Sequence, residues 1–179
     1  MVRAFVGLGS NLGERRETLR AAIGRLRGLP EVEVTGVSSF RDTEPLDYLD
    51  QPRFLNGAVE LETELSARAL LGALLELERA FGRDRSKAPP QGPRTLDLDL
   101  LLYGDATIDE PLLKVPHPRL HERRFVLAPM SELAPALIHP KLNASISEML
   151  AGLKSPFRVT LARADLLRPQ TPKREVSTR

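Results

Sequence analysis

The sequence predicts an α+β fold, because segments with the alternation of β-strands are interspersed with segments that have the spacing of amphipathic helices. The predicted order over the N-terminal half is strand, helix, strand, strand, helix, strand. Side chains alternate between the two faces of a strand, whereas a buried helical stripe repeats every three or four residues. This order is typical of the ferredoxin-like class, in which helices pack on one face of an antiparallel sheet and the other face stays open for ligands.

The first three predicted elements are a strand, a helix and a strand. Val2–Gly9 forms a short and mostly apolar strand, and Ser10 or Asn11 would cap the helix that follows. The buried stripe of this helix consists of Leu19, Ala22, Ile23 and Leu26. Gly28 ends the helix, and Glu31–Phe40 alternates as the second strand.

A long loop is predicted between the second strand and the third. Arg41–Arg53 contains two prolines and has no periodicity, and loops of this length commonly carry function. Phe54–Thr63 alternates again, so that Phe54 and Asn56 face away from the helices. Ser66 would cap the second helix. The buried stripe of that helix consists of Leu70, Leu74, Leu77 and Phe81.

The fourth predicted strand carries two carboxylates on one face. Asp97 and Asp99 alternate with apolar residues on the opposite face, which are Leu96, Leu98, Leu100 and Leu102. Neighbouring carboxylates repel each other unless a cation lies between them, and Mg²⁺ prefers such oxygen ligands. The alternative is a solvated strand face that bears two acids. A metal–polyphosphate site is favoured by the cations of the preceding loop, which are Arg83, Arg85, Lys87 and Arg94.

The remainder of the chain is predicted to be less regular. Its prolines exclude a helix through Val115–Pro118. Helical spacing returns over Glu122–Leu133 and again over Ser145–Leu153. The last apolar segment, Phe157–Ala162, fits a strand at the edge of the sheet.

Composition indicates an ordinary globular protein. Its 179 residues suit one domain over residues 1–167, followed by a disordered tail over 168–179. A net charge of +2 does not indicate a nucleic-acid partner, and no apolar segment is long enough to suggest a membrane partner. The lack of cysteine excludes disulfides and fits a reducing cytoplasm. We therefore expect a cytoplasmic protein that works as a monomer.

The sequence matches neither a dinucleotide-binding fingerprint nor a helical zinc site. Leu12 stands where a dinucleotide-binding fingerprint starting at Gly7 needs glycine. His117 and His121 have a spacing seen in zinc sites, but Pro118 between them excludes the single helix that this spacing requires.

Five segments together resemble the 6-hydroxymethyl-7,8-dihydropterin pyrophosphokinase family of folate biosynthesis. They are GLGSNLG at 7–13, SSFRDTEPL at 38–46, DQPRFLN at 50–56, GPRTLDLDL at 92–100 and VPHPRLHERRF at 115–125. The resemblance runs from about residue 2 to residue 135. It implies a ferredoxin-like fold and transfer of pyrophosphate from ATP to the hydroxymethyl group of the dihydropterin, giving the pterin diphosphate and AMP.

The resemblance also implies roles for individual residues. Asp97 and Asp99 would hold two Mg²⁺ ions together with the co-substrate ATP, and Arg83 and Arg94 would act with them in catalysis. The implied ATP contacts are Glu78, Arg85, Arg94, Leu100, His117 and Arg123. The implied pterin pocket consists of Thr43, Pro45, Leu46, Phe54, Asn56 and Phe125. Two rings suit the faces of a flat heterocycle, and an amide suits its hydrogen-bonding edge.

The chain departs from the family pattern at two positions, and two other functions remain open. Gln91 stands where many members have tryptophan, and Pro118 where tyrosine is common, which affects how the ATP site closes. A ferredoxin-like RNA-binding module would need aromatic and basic residues on its central strands, whereas Phe54–Thr63 carries two glutamates. An enzyme with another acceptor is the nearer alternative, because the two aspartates determine the metal–phosphate chemistry but not the acceptor.

Overall fold

The structure is a computed structural model that describes residues 1–46, 48–83 and 92–153, and the backbone of residues 160–161. Its strands are β1 (Val2–Ser10), β2 (Val32–Val37), β3 (Arg41–Thr43), β4 (Phe54–Thr63), β5 (Asp97–Tyr103), β6 (Ile108–Glu110), β7 (Leu113–Val115) and β8 (Thr160–Leu161). Its helices are α1 (Arg15–Arg27), α2 (Ala67–Ala80), α3 (Arg124–Leu133) and α4 (Ile146–Gly152), with a 3₁₀ turn at Leu120–Glu122. The expectations for Arg85, Gln91 and the tail 168–179 lie outside the described residues.

The main sheet has the strand order β5, β1, β4, β3, β8. Within the described residues, adjacent strands of this order run antiparallel to each other. Strands β2 and β3 lie one after the other along the same side of β4. The first pairs with Val59–Thr63 and the second with Phe54–Asn56. The predicted α+β fold with an antiparallel sheet is therefore confirmed.

Helices α1 and α2 cover one face of this sheet. Their predicted stripes are buried in a core with the apolar residues of β1, β4 and β5, except that Phe81 is only partly buried. Leu19 and Leu74 are fully buried. Truncating such a leucine to alanine typically destabilises a domain by about 2–5 kcal/mol, so this layer holds the sheet in place.

The other face is covered in part by α3 and α4 and is open elsewhere. Phe5 and Ala58 lie in a second apolar cluster with Val126, Leu127 and Met130 of α3. At the opposite end of the same face, β1, β4 and β5 carry Gly9, Asn56 and Asp97, which are neighbours in register. The sequence pattern predicts the open end but gives no indication that α3 covers the rest.

A β-bulge in β5 changes which face its last leucine occupies. Phe5 pairs with Leu102 and Val6 pairs with Leu100, so Leu101 is an extra residue in β5. Leu101 and Leu102 consequently both lie in the second cluster, whereas Leu100 lies in the first. The prediction that Leu102 shares a face with Leu100 is wrong for this reason.

Capping agrees with the sequence for α2 but not for α1. Ser66 accepts a hydrogen bond from the backbone of Ala69 at 3.2 Å, as predicted. The residue before α1 is Glu14, which makes no capping hydrogen bond with its side chain. Ser10 belongs to β1 and the side chain of Asn11 bonds to two other segments, so the predicted cap is wrong.

Three short strands of the structure are not predicted from the sequence, and a fourth is predicted in part. Strand β3 lies in the predicted loop, and β6 and β7 form a hairpin before Pro116. Each has three residues, which is too short for a periodicity to register. Strand β8 falls inside the predicted Phe157–Ala162 strand and pairs with β3. Among the described helices, none has the length and apolar character needed to cross a bilayer.

Candidate active site

The open end of the sheet is the floor of a pocket, called here the first pocket. Glycine at position 9 leaves room for the side chain of Asn56 in this floor. A Cβ there would lie 3.0 Å from Oδ1 of Asn56, which is closer than an ordinary contact. All six residues implied for the heterocycle line this pocket: Thr43, Pro45, Leu46, Phe54, Asn56 and Phe125. Five charged residues line it as well: Glu44, Arg94, Asp97, Asp99 and Arg123.

Two buried polar residues provide hydrogen-bonding groups in the first pocket. Thr43 and Asn56 lie on adjacent strands, and both are almost completely buried. The amide nitrogen of Asn56 donates a hydrogen bond to the hydroxyl of Thr43 at 2.7 Å. This bond orients the amide, and its carbonyl oxygen can then accept from a ligand. The pair suits the polar edge of a small heterocycle.

The two aromatic rings of the first pocket are each approached by an arginine. The Cζ atom of Arg94 lies 4.8 Å from the ring centre of Phe54, and that of Arg123 lies 5.6 Å from the ring centre of Phe125. Guanidinium groups bind aromatic faces by cation–π attraction and stacking. A ligand that stacks on these rings must therefore share or replace the arginine contacts.

Asp97 is paired with two arginines. One carboxylate oxygen contacts Arg83, and the other accepts a hydrogen bond from Arg94 at 2.7 Å. Burial by itself would raise the pKa of Asp97, but the positive charges of Arg94 and Arg83 outweigh it and hold the pKa below its ordinary value. Asp97 is therefore an ionised carboxylate that already attracts cations.

Asp99 lies beside Asp97 in a less favourable electrostatic position. Its side chain is 36% exposed, and its carboxylate lies 3.8 Å from the guanidinium of Arg123. Burial, and next the charge of Asp97, raise the pKa of Asp99 to about 7, against the opposing effect of Arg123. A hard cation between the two carboxylates would relieve this repulsion, and the oxygen donors present fit Mg²⁺.

Glu78 connects α2 to the start of β5. Its side chain is 1% exposed, accepts a hydrogen bond from the backbone of Leu98 at 2.8 Å and contacts Arg83. One arginine thus joins Glu78 to Asp97, so that three charged side chains fix the strand that bears the acids. The family resemblance implied a nucleotide contact for Glu78. The sequence did not predict that Glu78 would hold the start of β5 in place through Arg83 and the backbone of Leu98.

A second pocket adjoins the first. Its charged and polar wall includes Glu78, Arg79, Arg83, Asp99, Lys114 and His117. Its apolar wall consists of Leu71, Leu75, Leu98, Leu100, Leu112, Leu113 and Pro118. Asp99 lines both pockets. Of the residues implied for ATP, Glu78, Leu100 and His117 line the second pocket, Arg94 and Arg123 line the first, and Arg85 lies outside the described residues.

His117 is a neutral hydrogen-bond donor to the second pocket. Its Nδ1 accepts from the backbone N–H of Arg119 at 3.2 Å, so the neutral ring carries its proton on Nε2. Burial and the charge of Arg123 lower the pKa of His117 to about 4. It therefore stays neutral near pH 7 and can donate to an anionic oxygen without contributing a charge.

The histidines do not form a metal site in the described part of the chain, where no three histidine or carboxylate groups cluster as a metal-binding set. The ring of His121 instead meets that of His139 edge-on at 6.5 Å. His139 has backbone partners, because its Nδ1 accepts from the N–H groups of Lys141 and Leu142 at 3.2 Å. A Mg²⁺ site at Asp97 and Asp99 would accordingly need further oxygens from a substrate.

Several residues that line the pockets have no role predicted from the sequence. Gln51 and Gly7 line the first pocket, and Leu71, Leu75 and Arg79 line the second. The two leucines each lie one position beyond a residue of the α2 stripe. Helical spacing therefore places them at the border of the buried face, where apolar side chains can line a pocket. Gln51 lies in the DQPRFLN segment at 50–56, which is part of the family resemblance, although no role was implied for it.

Comparison with known proteins identifies the family. The profile of the 7,8-dihydro-6-hydroxymethylpterin-pyrophosphokinase (HPPK) family matches residues 5–135. A 2-amino-4-hydroxy-6-hydroxymethyldihydropteridine pyrophosphokinase of Pseudomonas aeruginosa is 46% identical over 150 residues, covering 84% of this chain and 91% of that protein. The corresponding protein of Bacillus subtilis is 46% identical over 130 residues, covering 73% and 77%. Folic acid synthesis protein fol1 of Schizosaccharomyces pombe is 40% identical over 152 residues, covering 85% of this chain but 20% of the relative.

Solved structures agree at the level of the fold. An HPPK-DHPS crystal structure with substrates superposes with a TM-score of 0.67 at 12% identity, covering 84% of this chain and 43% of that one. A Plasmodium falciparum HPPK-DHPS structure gives a TM-score of 0.67 at 14% identity, covering 84% and 45%. The profile match spans most of the chain and two relatives are more than two-fifths identical to it. The chain therefore belongs to the 7,8-dihydro-6-hydroxymethylpterin-pyrophosphokinase family.

Proposed function

We propose that this chain transfers the pyrophosphate group of ATP to the hydroxymethyl oxygen of 6-hydroxymethyl-7,8-dihydropterin and releases AMP. The chain is an ATP-dependent diphosphotransferase of folate biosynthesis, in keeping with its family and with its relatives' names. The observation that carries the proposal is the position of Asp99, which lines both pockets beside Asp97. Two substrates in adjoining pockets would meet at these carboxylates.

The first pocket is proposed to bind the pterin. Phe54 and Phe125 offer two aromatic faces, and the carbonyl oxygen of Asn56 can accept from the polar edge of the heterocycle. Arg94 and Arg123 now lie over these rings. On binding, the heterocycle takes over the ring faces and the two guanidinium groups turn towards the phosphates.

The second pocket is proposed to bind ATP. Its leucines form an apolar wall for the base, and its cations suit a triphosphate. His117 donates its Nε2–H to a phosphate oxygen, while Arg83 supplies charge-assisted hydrogen bonds. Arg83 and His117 line this pocket together with Asp99. The proposal therefore places the triphosphate beside Asp99, directed towards the acceptor.

Asp97 and Asp99 are proposed to hold two Mg²⁺ ions together with phosphate oxygens of ATP. When bound, Mg²⁺ neutralises polyphosphate charge and lowers the pKa of the acceptor hydroxyl, so no side-chain base is needed. The raised pKa of Asp99 and its closeness to Asp97 support a cation at this position. Arg83 and Arg94, released from Asp97, then contact the phosphoryl oxygens on which charge develops.

The products of the reaction test the proposal. The hydroxymethyl oxygen attacks the β-phosphorus, a new O–P bond forms, and the bond from the β-phosphorus to the bridging α–β oxygen breaks as AMP leaves. Phosphorus NMR of the protein with ATP, Mg²⁺ and the dihydropterin should show AMP growing in step with a pterin diphosphate. Formation of ADP with a pterin monophosphate would show that the assignment is wrong.

Phe54→Ala should weaken pterin binding and leave ATP binding nearly unchanged. Losing one aromatic stacking partner of a base costs roughly 1–3 kcal/mol, which is about a 5- to 150-fold loss of affinity. Fluorescence titration with 6-hydroxymethylpterin measures this, and a separate ATP titration measures the other site. Tyr103→Ala is the matched control, because Tyr103 is an aromatic residue that bonds Leu65 at 2.7 Å away from both pockets. Equal losses for both ligands would make Phe54 a core residue instead.

We further propose that the protein acts as a monomer in the cytoplasm on small-molecule substrates. The lack of cysteine suits a reducing compartment.

A further inference from the structure

Asn11 connects the two loops that border the first pocket. It follows β1 directly and is 2% exposed. Its amide nitrogen donates to Oε1 of Gln51 at 3.0 Å and to the backbone oxygen of Pro52 at 3.1 Å. Its amide oxygen accepts from the backbone N–H of Arg94 at 2.8 Å. One side chain thus holds the segment before β4 and the segment before β5.

The backbone of Asn11 reinforces the second of these connections. Its N–H donates to the backbone oxygen of Arg94 at 3.1 Å, so that the two residues exchange a pair of hydrogen bonds. The side chain of Arg94 starts from this fixed backbone and reaches Asp97 at 2.7 Å and the ring of Phe54 at 4.8 Å. Asn11 therefore fixes the backbone position from which the Arg94 side chain extends to Asp97 and Phe54.

The segment on the other side of Asn11 belongs to the proposed pterin pocket. Gln51 lines the first pocket, and its amide nitrogen donates to the backbone oxygen of Tyr48 at 2.7 Å. A displacement of Gln51 is therefore passed to the loop that carries Leu46, which also lines this pocket. Asn11 lies between a segment that shapes the acceptor site and a segment that carries a phosphate-facing arginine.

We propose that Asn11 is a positioning residue that couples the two substrate sites of the enzyme. Ordering of the Arg94 segment by ATP and Mg²⁺ favours, through the Asn11 amide, the arrangement of Gln51 and Pro52 that accepts the pterin. The reverse holds by thermodynamic linkage. This proposal rests on the proposed function, because it assigns ATP and the pterin to the two pockets.

The chemistry of the side chain suits this role. A neutral primary amide has two donor hydrogens and an acceptor oxygen, and Asn11 uses both kinds of group on different segments. An aspartate would lose the two donors, whereas an alanine would leave the Arg94 N–H and the Pro52 oxygen without this partner. The sequence position suggests a helix cap, but α1 begins at Arg15 and takes no cap from Asn11.

Thr63 provides a matched control at the opposite end of β4. It is fully buried, its hydroxyl donates to the backbone oxygen of Glu31 at 2.7 Å, and it accepts from the N–H of Leu65 at 3.1 Å. It therefore also connects two chain segments through one buried side chain, but away from both pockets. Thr63→Val should lower the melting temperature about as much as Asn11→Ala and leave substrate coupling unchanged.

The test measures coupling directly. Calorimetry gives the affinity of 6-hydroxymethylpterin with and without saturating α,β-methylene-ATP and Mg²⁺, for wild type, Asn11→Ala, Gln51→Ala and Thr63→Val. Coupling in wild type should be roughly 5- to 150-fold, the usual range for linked sites. Asn11→Ala should bring the factor close to one and lower kcat more than it raises either KM. Gln51→Ala, which removes one partner from a surface segment, should lower the factor in a folded protein even if Asn11→Ala unfolds.

Three results separate this inference from the function on which it rests. Wild-type production of AMP and pterin diphosphate with full coupling in Gln51→Ala and Asn11→Ala would overturn the role of Asn11 and leave the function intact. A wild-type coupling factor of one would also overturn the role of Asn11, because there would be no coupling for it to carry. Failure of the wild type to form these products would instead overturn the proposed function.

Discussion

Asp97→Asn and Asp99→Asn should each lower kcat/KM by roughly a thousandfold or more. A metal ligand contributes several kcal/mol of charge stabilisation in the transition state, and each 1.4 kcal/mol is a tenfold change in rate. Asparagine keeps the size of the side chain but removes the charge that would hold Mg²⁺. A steady-state assay measures the loss, and circular dichroism checks the fold. Activity within tenfold of wild type would rule out the two-metal assignment.

The same substitutions have opposite expected effects on stability without metal. The pKa of Asp99 is raised in the folded protein, so its ionisation opposes folding as pH rises from about 4 towards about 7. Asp99→Asn removes this repulsion, and its melting temperature at pH 8 in a chelator should exceed that of wild type. The pKa of Asp97 is lowered, so its charge supports the fold above the unfolded pKa, and Asp97→Asn should melt earlier.

Asp105→Asn is the control for both aspartates. Asp105 is an exposed carboxylate in the turn that follows β5 and lines neither pocket. Activity and melting temperature should match wild type. If its loss reduced activity as Asp99→Asn does, the effect of Asp99 would be one of general surface charge.

Periodicity is sufficient to predict most of the framework of the site. Strand β4 has the predicted bounds, and the alternation of Asp97 and Asp99 with leucines correctly separates the core face from the open face. These features depend on neighbours two residues apart in the sequence, because alternation along a strand is a local property. The implied pterin residues are also brought into one pocket, as the resemblance leads one to expect.

Features that depend on distant residues are not predictable in this way. The partners of Asn11 are 40 and 83 residues away, and a buried bridging amide looks the same in a sequence as a helix cap. The bulge at Leu101 falls in a run of leucines, where an extra residue leaves no break in the pattern. Loop cations are visible in the sequence, but the pairing of Arg83 and Arg94 with one carboxylate is determined by how α2 meets β5.

Arg94→Ala should lower kcat by roughly a hundredfold to a thousandfold, the usual cost of removing a donor to developing charge. Without substrates, Arg94 neutralises Asp97 and covers the ring of Phe54. Arg94 would lose both contacts when metal and pterin bind, so these contacts stabilise only the free enzyme. We therefore expect the KM values for ATP and the pterin to change much less than kcat. Arg83→Ala should act in the same direction, because Arg83 contacts the other oxygen of Asp97.

Arg3→Ala is the matched control for Arg94→Ala. Arg3 also combines an ion pair, to Glu60 at 2.6 Å, with a contact to an aromatic ring, that of Phe5 at 5.1 Å. It lies on β1 but lines neither pocket, so its loss should leave kcat within about twofold of wild type. The fold should be retained as well, because a surface ion pair contributes at most about 1 kcal/mol to folding stability. Rate measurements on both variants over a range of ATP concentrations separate the two effects. If Arg94→Ala raised the KM for ATP and left kcat intact, Arg94 would be an anchor for the nucleotide and would have no part in stabilising the transition state.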